Sequence, residues 1–131
     1  MTRSTRTLLW HSVLAAIFSL AGAGLLLALF RLGFVWYWLL AAWLISVNLT
    51  TFGYYAYDKS QARAQPQGER IPELVLHGLA GLGGTLGAYI GMVVLRHKTI
   101  KPAFRIVFWL TVAFQALLVV ALVYRIARGA D

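Results

Sequence analysis

Four stretches of the chain contain no Asp, Glu, Lys or Arg: residues 7–30, 32–57, 74–95 and 106–124. Each is close to the length of about 20 residues that a helix needs to cross the hydrocarbon core of a bilayer. Short polar segments separate the four stretches. The pattern predicts an all-α integral membrane bundle with four hydrophobic segments, forming a single membrane domain over residues 1–131.

Start and stop signals set the expected helix bounds. The first helix should run over 7–30, the second over 34–57, the third over 72–95 and the fourth over 103–124. Pro72 at a first helical position and Glu73 beside the positive end of the dipole are ordinary start signals. Residues 58–70 form the longest polar segment, and Pro66 and Gly68 favour a loop there. Because the connections are short, we expect neighbouring helices to be antiparallel.

The first apolar run also resembles a signal peptide. Arg3 and Arg6 precede it, and "SLAGAG" offers small residues of the kind found at cleavage sites. The following "LLLALF" makes the run long enough to span. We therefore expect a membrane anchor.

The third segment, "HGLAGLGGTLGAYIG", holds six glycines within fifteen residues, so it allows two structures. Gly83, Gly87 and Gly91 are spaced four apart and would form a smooth face for close helix packing, including a homodimer. Alternatively, Gly83 and Gly84 break the helix and Thr85 caps a second half. Each half of about eleven residues would reach only about 16 Å. Such a re-entrant hairpin is tolerated in a membrane where protein buries its backbone.

Composition supports a membrane location and limits the chemistry. Hydrophobic residues make up 60% of the chain and charged residues only 12%, and the net charge is +8. The positive charge lies in connections and tails, where it orients the chain and contacts anionic headgroups. The absence of cysteine excludes thiol catalysis, thiolate metal sites and disulfides.

The charge distribution depends on the third segment. If all four segments span, seven Lys and Arg residues lie on one side and five on the other. If the third is re-entrant, the distribution becomes nine against three. The positive-inside rule favours the second arrangement, whereas length and glycine spacing favour the first. Insertion in both orientations is a third alternative, because a small bias would permit it.

A polar face follows the second helix, where residues at steps of three and four share one side. Its members are Asn48, Thr51, Tyr55 and Asp58. Asn48 falls near the middle of the span, where it should seek a partner such as Gln115 or Thr111 on the last helix. Intramembrane polar residues are otherwise candidates for function.

Two carboxylates near the membrane surface suggest a second polar group. Asp58, at the expected end of its helix, faces the negative end of the dipole and requires a cation nearby. Glu73 and His77 lie four residues apart, a spacing that could serve a divalent cation. A salt-bridge cluster is the simpler interpretation, and we expect no bound metal and no cofactor. The candidate polar cluster comprises Asn48, Tyr55, Asp58, Lys59, Arg70, Glu73 and His77.

The basic motif "LRHKTIKPAF" follows the third segment. Arg96, His97, Lys98 and Lys101 there could complement the helix dipole and reach the interface. The same residues could bind a phosphate, with His97 held neutral between two cations. They are the candidate anion-binding residues. Gly83, Gly84, Gly87 and Gly91 are the candidate helix-packing residues.

Three motifs, "NLTTFGYYAYDKSQA", "RIPELVLHGLAGLGGTLGA" and "LRHKTIKPAF", resemble successive blocks of the DUF1294 family over residues 47–121. The resemblance implies a small bacterial protein of the cytoplasmic (inner) membrane, with several spans and no assigned activity. Some members that resemble this chain carry an N-terminal cold-shock domain, a single-stranded nucleic-acid binder. Nothing before Leu8 could form such a barrel, so we expect no nucleic-acid partner.

These observations favour a structural or adaptor protein whose basic loops contact anionic lipid or a partner, with a homo-oligomer as a further expectation. A transporter or channel for a small anion is one alternative, although no carboxylate falls within a predicted span. An enzyme acting on a phosphorylated lipid is another, although the chain has no nucleophile motif, phosphate loop or zinc signature. Whether the protein is an enzyme is left open. A spanning third segment would separate the acidic and basic motifs, and a hairpin would unite them.

Overall fold

The computed structural model of the chain describes residues 3–30, 35–64, 70–96 and 101–129. Within these ranges the structure is helical and has no strand. The helices are α1 (Arg3–Leu29), α2 (Trp36–Ala64), α3 (Glu73–Leu79), α4 (Thr85–Leu95) and α5 (Pro102–Arg128), with a wide π-type turn at Ala80–Gly84 joining α3 to α4. Four segments are long and apolar enough to cross a membrane, and they include Glu73–Leu95 as the third. The predicted all-α membrane architecture is confirmed.

Helix α2 is longer than its apolar pattern predicts. It continues through Asp58 and Lys59 to Ala64, because "DKSQARA" consists mainly of residues that form helices readily. The expected loop therefore starts too early, and Pro66 and Gly68 lie outside the described residues. Asp58 lies well inside the helix and is fully buried, so its predicted position at the helix end is wrong. Helix α3 begins at Glu73, with Pro72 as the residue before it.

The third hydrophobic segment reverses direction at Gly83. This residue has φ 109° and ψ 0°, a backbone conformation that glycine adopts without a side-chain clash. A glycine of this kind commonly ends a helix and lets the chain turn away. The reversal converts one apolar stretch into two short helices, α3 and α4.

Contacts of Glu73 and Leu95, the first and last residues of this segment, show that both residues lie at the same end of the bundle. Glu73, which opens α3, pairs with Lys101 before α5, at 2.8 Å. Leu95, which closes α4, accepts a hydrogen bond from Lys59 Nζ on α2 at 2.5 Å. Phe104, in the first turn of α5 after Lys101, connects these two contacts. The centroid of its ring lies 6.2 Å from that of Tyr55, which precedes Lys59 by one turn of α2. The re-entrant alternative is therefore correct and the spanning alternative is wrong. The predicted Thr85 cap does not form, because Gly84 precedes α4 and the Thr85 hydroxyl bonds the Ala80 carbonyl at 3.1 Å.

We call the end of the bundle that carries Lys59, Glu73, Leu95 and Lys101 the base, and the turn at Ala80–Gly84 the tip. Helix α1 is antiparallel to α2, since Ser46 bonds the Ser19 carbonyl at 2.5 Å and Tyr54 bonds the His11 carbonyl at 3.0 Å. The N-terminal end of α1 therefore also lies at the base. Helix α4, by contrast, runs parallel to α2, because the hairpin returns the chain to the base before α5 begins.

The protein core is small and lies around the hairpin. It includes Val47 and Tyr55 of α2, Leu76 of α3, Ala88 of α4 and Phe108 of α5. Most apolar side chains of α1 and α5 are exposed; Leu117, for example, is 66% exposed. Exposed leucines on this scale suit contact with lipid tails, which are as apolar as leucine itself.

Candidate functional site

Side chains from two flanking helices satisfy the backbone at the tip. The last carbonyls of a helix have no partner within it, and such groups are costly in hydrocarbon. Gln115 Nε2 on α5 donates to the Ala80 and Gly81 carbonyls at 2.9 and 3.0 Å. From α2, Trp43 Nε1 donates to the Leu82 carbonyl at 3.0 Å, and Asn48 donates to that of Gly83. Four consecutive carbonyl groups at the tip are thus paired.

Asn48 contacts both halves of the hairpin. Its Nδ2 donates to Gly83 at 2.9 Å and to the carbonyl of Leu44 in its own helix at 2.7 Å. Its Oδ1 accepts the backbone N–H of Gly87, near the start of α4, at 2.6 Å. The predicted partners were wrong: Gln115 lies on the other side of the tip, and Thr111 bonds the Val107 carbonyl in its own helix at 2.9 Å.

Four glycines of the hairpin, Gly83, Gly84, Gly87 and Gly91, pack against α2 of the same chain. A methyl group placed on Gly84, Gly87 or Gly91 would collide with Thr51, Asn48 or Tyr55, respectively. Both Gly87 and Gly91 are buried by these contacts. The expected homodimer through the face of Gly83, Gly87 and Gly91 is therefore wrong, because α2 already covers that face.

A polar cluster lies at the base, between α2 and α3. Tyr55 and Asp58 are both fully buried, and the Tyr55 hydroxyl lies within electrostatic range of Asp58 and Glu73. Among the described residues this hydroxyl has no hydrogen-bond partner. Tyr55 and Asp58 therefore form the buried centre of the cluster.

The remaining predicted members lie around this buried centre, with one exception. Arg70 lies exposed just before α3, and the His77 ring stacks on Phe104 with centroids 4.2 Å apart. Asn48 is apart from them, at the tip. No group of three or more His, Asp or Glu side chains with metal-binding geometry occurs in the described ranges.

Cations close the hairpin at the base. The Lys59 ammonium binds the last carbonyl of α4, where the helix dipole favours positive charge. Arg96 follows with φ 47° and ends α4 in the left-handed conformation. Lys101 and Glu73 are 64% and 39% exposed, so their ion pair adds little stability. Two of the candidate anion-binding residues, His97 and Lys98, lie outside the described residues.

A groove of about 470 Å³ opens beside Lys59 on the surface of the base. We call it the basic groove; it is lined by Ala56, Lys59, Ser60, Arg63, Ala64 and Leu95. The polar pattern of residues 58–70 predicts a loop that includes Ser60 and Arg63, so the groove was not predicted. Lys59 and Arg63 are four residues apart, so they share one face of a helix that continues to Arg63. With α2 extended this far, their spacing is the sequence signal for the groove.

The fold and its base define a small integral membrane protein built around a re-entrant hairpin. Residues 48–104 match the family described as "Protein of unknown function (DUF1294)". The chain is 35% identical over 81 residues to "Uncharacterized protein YsdA" of Bacillus subtilis (strain 168), covering 62% of this chain and 89% of that protein. No solved structure matches the chain. The chain therefore belongs to the DUF1294 family.

Proposed function

We propose that this protein binds the headgroups of anionic phospholipids at the cytoplasmic surface of the bacterial inner membrane, through the basic groove at its base. The observation that carries the proposal is the reversal at Gly83, which returns α4 to the end of the bundle where α2 finishes. Basic residues that a spanning helix would divide between two surfaces are thereby collected on one.

The resulting charge asymmetry supports an orientation. Among the described residues, eight Lys and Arg belong to the base: Arg3, Arg6, Lys59, Arg63, Arg70, Arg96, Lys101 and Arg105. Two others in these ranges, Arg125 and Arg128, belong to the opposite end. Short segments rich in Lys and Arg remain in the cytoplasm, so the base and the N-terminal end of α1 face it. The cytoplasmic leaflet carries the anionic lipids.

The basic groove has the chemistry that a lipid phosphate requires. The bond to Leu95 holds Lys59 in place at the wall of the groove, and an ammonium has more than one hydrogen to donate. Arg63, one turn further along α2, presents a guanidinium that can bind phosphate oxygens in pairs. Each Lys or Arg near an anionic surface contributes about 1 kcal/mol of attraction.

The alternative functions have less support. An ion pathway through the hairpin would need backbone groups free to coordinate an ion at mid-membrane, and the four carbonyls of the tip already accept hydrogen bonds. An enzyme that used Tyr55 and Asp58 would need substrate to reach them, and both are fully buried. Headgroup binding needs neither ion access to the tip nor substrate access to these buried residues.

Native mass spectrometry of the purified full chain tests the proposal. The protein would be released from nanodiscs that contain equal amounts of phosphatidylglycerol and phosphatidylcholine, and the lipids that remain bound would be counted. We expect preferential retention of phosphatidylglycerol, reduced about tenfold or more in the double variant K59Q/R63Q. The matched control R125Q/R128Q removes two arginines from the opposite end and should retain the preference. Equal retention of both lipids by the wild type, or no effect of K59Q/R63Q, would refute headgroup binding at this groove.

A further inference from the structure

A second groove lies in the seam between α2 and α4. It has a volume of about 460 Å³, and its lining includes Ile45, Asn48 and Phe52 from α2 with Leu86, Gly87 and Ile90 from α4. We call it the seam groove. Phe52 precedes Ala56, which lines the basic groove, by one helical turn on the same face. The two grooves therefore follow one another along the same seam, the apolar one toward the tip and the basic one at the base.

The depth of the seam matches one leaflet of a bilayer. Asn48 binds the hairpin tip and Lys59 lies at the base. The α2 residues from 48 to 59 rise by about 16 Å, and half of a hydrocarbon core of about 30 Å is close to that value. A single lipid of the cytoplasmic leaflet has the same arrangement, with a charged group at the surface and a chain that ends near mid-membrane.

We propose that the basic groove and the seam groove form one site for a single anionic phospholipid, with its phosphate at Lys59 and Arg63 and one acyl chain along the seam between α2 and α4. This inference rests on the proposed function and adds the position of the chain. Lipid tails gain little by exchanging bilayer for protein, since both are apolar. The headgroup therefore supplies the selectivity, and the seam determines where the chain lies.

A lipid fits this site better than a second copy of the protein. The chain contains four Asp and Glu residues. Two of them fall in the described ranges: Asp58 is buried and Glu73 pairs with Lys101, so the described part of another copy offers little negative charge to the basic groove. An anionic lipid supplies the complementary charge and the apolar chain in one molecule.

The larger apolar groove between α1 and α2 provides an internal comparison. Its volume is about 670 Å³, and its described lining includes Leu14, Phe18, Gly53 and Tyr57 but no Lys or Arg. A lipid chain in that groove would not be selected by headgroup charge. The proposal therefore predicts charge-dependent occupancy of the seam and charge-independent occupancy of the α1–α2 groove.

Photo-crosslinking in nanodiscs distinguishes the two grooves. Phosphatidylglycerol and phosphatidylcholine, each with a diazirine midway along one acyl chain, would be photolysed with the full chain and the labelled peptides mapped by mass spectrometry. We expect phosphatidylglycerol to label the peptides around Phe52 and Ile90 at least threefold more than those around Leu14 and Phe18. Phosphatidylcholine should show no such enrichment, and K59Q/R63Q should abolish it for phosphatidylglycerol.

A blocking variant tests the path of the chain independently. Ala56→Phe places a ring where the two grooves meet and should reduce labelling of the seam by phosphatidylglycerol at least threefold. Gly53→Phe is the matched control on the same helix, because a Cβ there meets no atom within 4 Å and lies in the α1–α2 groove. It should leave seam labelling unchanged. If Ala56→Phe does not fold, the comparison of K59Q/R63Q with the wild type remains decisive.

The outcomes also separate this inference from the function on which it rests. If native mass spectrometry shows the preference for phosphatidylglycerol but its chain labels both grooves equally, the seam site is overturned and headgroup binding stands. If that preference is absent, the proposed function fails and the seam site fails with it.

Discussion

Asn48 donates a hydrogen bond of 2.9 Å to the carbonyl of Gly83, the residue at which the third hydrophobic segment turns back. The same side chain accepts the N–H of Gly87 on the returning helix. One amide in the middle of α2 thus bonds the turn at Ala80–Gly84 and the start of α4. A polar residue at mid-membrane has a structural explanation here, because it supplies partners to backbone groups that the reversal exposes.

Replacing Asn48 should therefore destabilise the hairpin. Asn48→Leu keeps a side chain of similar size but leaves the Gly83 carbonyl and the Gly87 N–H without their partner. We expect the free energy of unfolding in detergent micelles to fall by about 1–3 kcal/mol. Thr111→Val is the control, because Thr111 bonds only within its own helix in the described contacts and should change stability by less than about 0.5 kcal/mol. Equal effects of the two substitutions would mean that Asn48 does not hold the tip.

Gln115 binds the tip from the opposite side, so the effects of the two amides should be coupled. Gln115→Leu removes the bonds to Ala80 and Gly81. Once either amide is lost and the tip can move, loss of the second should cost less. In a double-mutant cycle with Asn48→Leu, we expect an interaction energy of about 0.5–2 kcal/mol. Strict additivity would show that α2 and α5 act on the tip independently.

Gly87 should tolerate no side chain, in contrast to another glycine of the same hairpin. A methyl group at Gly87 would collide with the Asn48 carbonyl, whereas one at Gly78 meets no atom within 4 Å. We expect Gly87→Ala to lower stability by about 1–3 kcal/mol. Gly78→Ala should raise it by up to about 1 kcal/mol, because alanine favours a helix more than glycine does. Chemical denaturation of both variants checks this, and a stable Gly87→Ala protein would contradict the close packing of α4 on α2.

Adjacent tyrosines on α2 should respond differently to loss of the hydroxyl. Tyr54 donates to the His11 carbonyl at 3.0 Å, so Tyr54→Phe should cost about 0.5–1.5 kcal/mol. The buried Tyr55 hydroxyl has no hydrogen-bond partner among the described residues, so Tyr55→Phe should be neutral or stabilising. Thermal unfolding of the two variants side by side provides the comparison. A larger loss for Tyr55→Phe than for Tyr54→Phe would show that the Tyr55 hydroxyl is bonded.

The sequence pattern predicted the four hydrophobic segments, because segment length and charge depend only on local composition. It left the path of the third segment open. The spacing of Gly83, Gly87 and Gly91 suits close packing on any helix, so it could not distinguish a second copy from α2. The distribution of Lys and Arg favoured the hairpin correctly, because the positive-inside rule depends on which loops lie on the same side of the membrane.

The details of the site depended on contacts between residues distant in sequence. Asn48 and Gly87 are far apart along the chain, and no periodicity shows that a side chain will bond a backbone N–H elsewhere. The groove at Lys59 was missed for a local reason. Apolar character ends at Tyr57, but the helix continues through polar residues that favour helix formation, to Ala64.

The position of Arg96 relative to Ala64 tests the hairpin most directly. The chain has no cysteine, so Ala64→Cys, Arg96→Cys and Arg128→Cys can each be labelled as a single thiol in intact cells with an impermeant reagent. The structure predicts that positions 64 and 96 behave alike. In the proposed orientation both are protected until the membrane is permeabilised, whereas position 128 is labelled at once. Opposite labelling of 64 and 96 would show that the third segment crosses the membrane, and it would contradict the hairpin and the lipid site built on it.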